Sequence, residues 1–474
     1  MLPVNGLSPS GFARAKKAPL SKGAGRVSGL GDSDGPCLIA RYTRRRPGIP
    51  PPRLRSAPPF DKGGFLRGAS GTPPTFLVKK LTAQILRFSA CKSAPYVVQY
   101  KLTKYGKTGG IPNGTQQSDP DGQRQPQKFI TIGEVMLRLT PPNYEKIRMA
   151  SAFEASYGGS EANIALALAN LGVDSTFFSV VPNNSLGKSA VRWLRCNDVH
   201  CTPMILSTKE ETPSHRLGTY YLETGYGIRP SKVIYDRMHS ALTEYDLTKV
   251  DLDELFDGFD WLHLSGITPA LNKNCADFIL RCLRTAKEKG LTVSFDGNFR
   301  STLWSWEEAR DYCTQCLPYV DVLFGIEPYH LWRDDEDHSK GDWKDGVPLQ
   351  PSYEQQDEIF QHFIERYPNL KCIARHVRYA HSGSENSLKA FMWYDGHTFE
   401  SKLFTFNILD RVGGGDAFAS GLIYAMLHNY KAMDMINFAV ASSAIKHTIH
   451  GDANITDDVS SIRNLMNMNY DIKR

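Results

Sequence analysis

Near the C-terminal end, residues 406–427 read FNILDRVGGGDAFASGLIYAML. Three consecutive glycines, Gly413, Gly414 and Gly415, run into Asp416, and an apolar helical run follows. Glycine loses more conformational freedom on folding than other residues, so a run of three points to backbone that must be approached without side chains. Exposed N–H groups at a helix N-terminus bind anions, because the orphan donors and the helix dipole point the same way. A carboxylate at Asp416 has two uses there. It can cap the helix, or it can accept a proton from a hydroxyl that attacks a phosphoryl group. The run lacks the Lys-Ser/Thr of a P-loop, which excludes that scaffold.

Working outward, the chain from Lys128 alternates strand-like and helix-like segments. KFITIG, ending at Gly133, STFFSVVPNN, WLHLSG, TVSFDGN and VDVLFG read as strands. Between them EANIALALANLG, an amphipathic helix stopped by Gly172, SLGKSAVRWLRCNDV, NKNCADFILRCLRTAKEKG and SWEEARDYCTQCL read as helices, and SYEQQDEIFQHFIERY follows the last strand. This β-α-β rhythm predicts an α/β fold, a mostly parallel sheet with helices on both faces. Ligands in such sheets bind at the carboxyl ends of strands, where Gly158, Gly159, Ser265, Asp296 and Gly413 fall. Segments 145–157 and 215–235 break the rhythm with alternating aromatic patterns, predicting a small β-sheet that lies over the site as a lid.

DRVGGGDAF resembles the C-terminal signature of ribokinase-like (PfkB-type) carbohydrate kinases, and GGSEANIALALANLG their N-terminal one. The resemblance covers about 128–474 and implies the three-layer α/β/α ribokinase-like fold. Within the family LSGITPAL, SFDGNFRSTLW and AIKHTIHGD are most similar to 2-dehydro-3-deoxygluconate kinases. That likeness implies transfer of the γ-phosphoryl of ATP, with Mg2+, to the 6-hydroxyl of a 2-keto-3-deoxy sugar acid. It makes Asp416 the general base and the backbone of Gly413–Gly415 the anion hole. It places Gly158, Gly159 and Asn163 on the sugar, with Tyr221 and Asp452 near it. Arg300 matches the family arginine that meets the substrate carboxylate, a pairing that suits a planar anion.

Several positions depart from the family. Relatives carry Tyr-Tyr-Arg in the lid, where this chain has Tyr220-Tyr221-Leu222, leaving Arg229 as a substitute cation. The Asn-x-x-Glu run that organises Mg2+ and phosphates becomes FGIEPYHLW, in which only Glu327 remains as a candidate metal residue. Phosphates and water are expected to hold the metal largely without the protein. Arg375, Asn386 and Arg411 are candidate nucleotide contacts. The acidic insert RDDEDHSKGDWKDG reads as a solvated loop. Readings that stay open are a related kinase for 2-ketogluconate, fructose or ribose, and a kinase-derived regulatory protein.

The formal charge of +6 over 474 residues conceals two unlike segments. Residues 1–127 hold 21 Lys and Arg against five Asp and no Glu; the remainder holds 35 basic and 45 acidic residues. The first segment, rich in Pro, Gly, Ser and Arg, is a low-complexity basic extension whose composition predicts disorder. It fits an organelle-targeting peptide, a nucleic-acid-binding arm built on Arg44, Arg45 and Arg46, or sequence never selected to fold. No apolar run reaches a membrane span. Nine scattered cysteines, including Cys313-Thr-Gln-Cys316, read as reduced thiols rather than a zinc site. The expectation is a cytoplasmic enzyme, or an organellar one if 1–127 is a targeting segment. Its partners would be a small sugar acid and ATP, with neither membrane nor nucleic acid. The family implies a homo-oligomer, a dimer or higher.

Overall fold

The computed structural model describes residues 127–327, 350–456 and 458–469, together with the two-residue strands at Trp343–Lys344 and Val347–Pro348. The basic extension and almost all of the acidic insert lie outside the described residues. In chain order the strands and helices begin with β1 (Lys128–Ile132), β2 (Met136–Thr140), β3 (Glu154–Gly158), α1 (Ser160–Asn170), β4 (Asp174–Phe178), β5 (Val180–Pro182), α2 (Ser185–Cys196) and β6 (Ile205–Ser207). They continue with β7 (Thr219–Glu223), β8 (Lys232–Asp236), α3 (Ala241–Glu244), α4 (Leu252–Leu255), β9 (Trp261–Ser265), α5 (Lys273–Glu288), β10 (Thr292–Asp296), α6 (Trp306–Cys316) and β11 (Val322–Phe324). After the two-residue strands β12 and β13 come α7 (Tyr353–Arg366), β14 (Cys372–Ala380), β15 (Glu385–Tyr394), β16 (His397–Glu400), β17 (Phe404–Asn407), α8 (Gly414–Leu427), α9 (Ala432–Lys446) and α10 (Val459–Met466).

Among the described residues nine strands form the main sheet, in the order β16-β15-β14-β11-β10-β9-β1-β4, with β17 paired to β15. The pairings from β4 to β14 are all parallel, and β15 adds an antiparallel edge through a long hairpin with β14. Side chains alternate between the two faces at period two. Ile130, Ile132, Leu262, Leu264 and Leu323 pack under α5, α6 and α7 with Phe278, Cys313 and Phe360. Phe129, Trp261, Val322 and Phe324 pack on the other face with α1, α8, α9 and α10. This is the α/β/α sandwich expected of the alternation. Cys313 and Cys316 form no disulfide and are buried on the first of these faces. No described helix is long and apolar enough to cross a membrane.

Three expectations change. The helix α1 is not amphipathic: Glu161 through Ala169 are all buried, because the sheet, α8 and the strand β4 enclose it. The strand expected to end at Gly133 stops just before it, as β1, but the residues after it form β2, which joins the separate sheet by pairing with β3 and β7, outside the expected segments 145–157 and 215–235. The separate sheet is therefore β3-β2-β7-β8, and most of 145–157 is turn, including a 3-10 turn at Ile147–Met149.

Candidate active site

A cavity of about 550 Å³ opens at the carboxyl ends of β10, β11 and β14, covered by side chains of the separate sheet. That sheet contributes Met136, Tyr220, Val233 and Tyr235, so it is a lid over the site. The opposite wall is the turn before α8.

Gly413 caps α8 with a φ of 81°, a left-handed conformation that disfavours residues with a Cβ. A Cβ there would also lie 1.7 Å from the backbone oxygen of Asp452. At Gly414 it would lie 2.4 Å from His447 Cε1, whereas Gly415 has no neighbour closer than His376 Cε1 at 3.7 Å. No side chain caps this helix end. The helix start thus lines the cavity with no side chain on its first N–H groups, an arrangement that can receive an anion.

Asp416 is not the cap. Its Oδ1 accepts from Ser160 Oγ at 2.7 Å and its Oδ2 from Asn163 Nδ2 at 2.7 Å. Both donors sit in the first turn of α1, which packs against α8. Asn298 Nδ2 donates to Ser160 Oγ at 2.9 Å, and so extends the network to the end of β10. Gly159 is required before α1 because a Cβ would lie 2.0 Å from the Glu134 carbonyl oxygen.

Burial raises the Asp416 pKa, while the bonds from Asn163 and Ser160 oppose it. Asp296 is pushed up to about 7 by burial and by the charge of Asp416, against the opposite pull of Arg300. Glu161 is raised to about 7 by burial, even though Ser265 Oγ and Thr268 Oγ1 donate to it at 2.7 and 3.0 Å. Three carboxyls that resist ionisation thus cluster where the end of β10 and the start of α1 meet the start of α8, and a carboxylate of raised basicity suits proton abstraction.

The structure brings most of the anticipated residues together. Gly159, Asn163, Arg300, Glu327, Arg375, Arg411, Asp452 and the Gly413–Asp416 turn all line the cavity. Gly158 lies just behind it, its Cα facing Asp452 Oδ2 and the Tyr220 hydroxyl. Arg300 is exposed to the cavity, and its Nη1 meets only the carbonyls of Phe299 at 3.0 Å and Asn298 at 3.4 Å. Arg375 is buried, donating to Gln356 Oε1 at 2.9 Å and pairing with Glu327 Oε1 at 3.3 Å.

Three anticipated residues are elsewhere. Tyr221 points away from the cavity and packs edge-on to Phe153, since strand alternation gives the inner face to Tyr220. Arg229 ties the lid's own turns together, through the carbonyls of Tyr144 and Thr224. Asn386 is fully buried on β15, outside the cavity lining.

Other lining residues were not legible. Arg237, just after β8, is the lid arginine that reaches the cavity, held by Glu134 Oε2 at 2.5 and 2.8 Å. Ser160, Asn298 and Glu161 lie around Asp416, beside Asp296, whose strand-end position the sequence does mark. His376 and Arg378, on β14, also line the cavity. The spacing His376-x-Arg378, two apart and so on one face of a strand, is the signal that could have exposed the last of these.

The donor set fits a polyphosphate. Arg378 and Arg411 line the cavity near the glycine turn with no carboxylate partner among the described residues. Burial and the neighbouring Arg411 charge lower the Arg378 pKa to about 10. Two guanidiniums so placed are relieved by an anion between them. For a metal, the described residues contain no cluster of three or more His, Cys, Asp or Glu. Glu327 is engaged by Arg375, so Mg2+ accompanying a nucleotide would rest on phosphates and water.

Comparison with known proteins supplies the family. The family described as pfkB family carbohydrate kinase matches residues 126–328 and 387–458. A 2-dehydro-3-deoxygalactonokinase of Haloferax volcanii is 31% identical over 332 residues, covering 70% of this chain and 94% of its own. The crystal structure of a 2-dehydro-3-deoxygluconokinase of Thermotoga maritima is 35% identical with a TM-score of 0.65, covering 72% of this chain and 99% of its own. A PfkB family carbohydrate kinase structure from Listeria grayi is 31% identical with a TM-score of 0.64, covering 72% of this chain and 100% of its own. The family match spans more than half of the chain, and relatives above 30% identity share most of its length and its fold: the chain belongs to the pfkB family of carbohydrate kinases.

Proposed function

We propose that this chain transfers the γ-phosphoryl group of ATP to the 6-hydroxyl of a 2-dehydro-3-deoxy sugar acid, with 2-dehydro-3-deoxygluconate as substrate. The observation that carries the reading is the Asp416 carboxylate, fixed by Ser160 and Asn163 at the mouth of the anion-binding turn. Asp416 takes the proton of the 6-hydroxyl as its oxygen bonds to the γ-phosphorus and the bond to ADP breaks. The N–H groups of Gly413–Gly415 receive the negative charge that spreads over the transferring group. Mg2+, bound with ATP, supplies neutralisation of phosphate charge. Arg378 and Arg411 hold the phosphate chain, and Arg375 orders Glu327 beside it.

The sugar acid rests between the glycine turn and the lid. Arg300, lacking a carboxylate partner among the described residues and open to the cavity, pairs with the substrate carboxylate. The lid arginine that relatives carry in their Tyr-Tyr-Arg run is supplied here by Arg237 rather than Arg229. The similarity to both a galactonate and a gluconate kinase supports the 2-dehydro-3-deoxy acids as the substrate class.

A kinase for a neutral sugar is the competing reading. Turnover of 2-dehydro-3-deoxygluconate, 2-dehydro-3-deoxygalactonate, fructose and ribose, measured as ADP release, separates the two. Preference for fructose or ribose would overturn the acid assignment.

A further inference from the structure

Behind the glycine turn lies a buried group of charges that the transfer chemistry leaves unused. Arg138, on lid strand β2, is 3% exposed and does not line the cavity. Its Nη2 donates to Asp410 Oδ2 at 2.5 Å, its Nη1 to Asp452 Oδ1, and its Nε to Thr140 Oγ1 at 2.9 Å. Tyr220, from lid strand β7, donates its hydroxyl to the other Asp452 oxygen. Burial works against the Arg138 charge, but the two carboxylates outweigh it and raise its pKa.

Each carboxylate belongs to one wall of the anion site. Asp410 accepts from the N–H of Val412 at 3.2 Å and of Gly451 at 3.0 Å, joining the start of the turn to the 451 segment. The Asp452 backbone oxygen is the atom against which Gly413 packs. Fully buried Lys446 adds a tie to the same place, its Nζ donating to the Asp410 carbonyl at 3.1 Å. One lid guanidinium therefore holds both segments that shape the glycine turn. A planar guanidinium fork presents its two terminal nitrogens to both carboxylates at a fixed spacing, while the compact ammonium of a lysine lacks that spread and orientation.

We propose that Arg138 is a positioning residue that registers the lid on the anion-binding turn. The acceptor hydroxyl held under the lid and the N–H groups that receive the phosphoryl charge are then aligned as one unit. The proposal rests on the kinase reading for its kinetic consequence and on geometry alone for its structural one.

The test compares full-length wild type, Arg138→Met and Arg138→Lys by steady-state kinetics with ATP and 2-dehydro-3-deoxygluconate, and by hydrogen–deuterium exchange without ligands. The expected result for Arg138→Met is a kcat lower by about 10²-fold, the scale of a 1 Å misplacement, with KM for ATP changed by no more than about threefold. Arg138→Lys does not restore kcat. Exchange rises in 409–416 and 450–453 but not in α5. A wild-type kcat in Arg138→Lys, or unchanged exchange in those segments of folded Arg138→Met, overturns the proposal. If Arg138→Met does not fold, Tyr220→Phe carries the same test, with faster exchange in 450–453 and a smaller fall in kcat expected, and neither change overturning it. Wild type that fails to phosphorylate the sugar acid contradicts the substrate reading, and the exchange result then decides the role of Arg138 by itself.

Discussion

Asn163 Nδ2 donates to Asp416 Oδ2 at 2.7 Å, across 253 positions of sequence. With Ser160 on the other oxygen, it fixes both lone-pair faces of a carboxylate that no capping bond occupies. This joint between α1 and α8 is what turns two glycine signatures into one site.

Replacing that carboxylate tests its chemistry. Asp416→Asn preserves shape and can still bond Ser160 and Asn163, so the fold should persist with an unchanged circular dichroism spectrum. Loss of a general base is expected to lower kcat by about 10²–10⁴-fold, read by ADP release with ATP and the sugar acid.

Gly413→Ala should be far more damaging than its size suggests. Its φ of 81° and a Cβ 1.7 Å from the Asp452 oxygen force the turn to move. The left-handed conformation alone costs about 1–2 kcal/mol. Thermal denaturation should show a lower Tm, and activity should fall by about 10²-fold or more as the N–H groups lose alignment.

Arg300→Ala should act on substrate acquisition. The side chain is exposed to the cavity and anchors only to two backbone carbonyls, so its removal leaves the fold intact. A charge-assisted bond to the substrate carboxylate implies a rise of about 10–10²-fold in KM for the acid. KM for ATP should stay within about twofold, because that contact lies elsewhere.

The elevated carboxyls make stability depend on pH in a defined direction. Asp296 titrates near 4 when unfolded and at about 7 in the folded chain, where burial and Asp416 oppose its charge. Between those values the folded state binds the extra proton, so stability falls as pH rises through the window. Asp296→Asn removes this penalty. Its Tm should exceed that of wild type by about 2–4 °C at pH 8 and match it near pH 4, as measured by calorimetry.

How much of this could be read beforehand follows from range of interaction. The glycine turn, Asp416 and the parallel alternation are local patterns, each carried by a few neighbouring residues. The lid was legible only as an interruption. The strand that ends at Gly133 leaves EVMLRLT outside the alternation of the main sheet, and only the folded chain places Arg138 in the separate sheet. Whether Tyr220 or Tyr221 faces the cavity depends on a sheet register that alternation within one strand cannot supply. Arg237 and Glu134 lie 103 positions apart and meet only once the lid is folded. Asn386 looked available as a polar residue on a strand, but pairing on both edges of β15 buries it. The amphipathic reading of α1 failed for a related cause: the face left open by its neighbours β1 and β4 is covered by α8, which comes much later in the chain.

The most direct test of the central claim is phosphoryl transfer by the full chain, with ATP, Mg2+ and each of 2-dehydro-3-deoxygluconate, 2-dehydro-3-deoxygalactonate, fructose and ribose. The account predicts a product phosphorylated on the 6-oxygen, formed from the two sugar acids in preference to the neutral sugars, and lost in Asp416→Asn. Turnover that favours fructose or ribose, or that survives in Asp416→Asn, would contradict it.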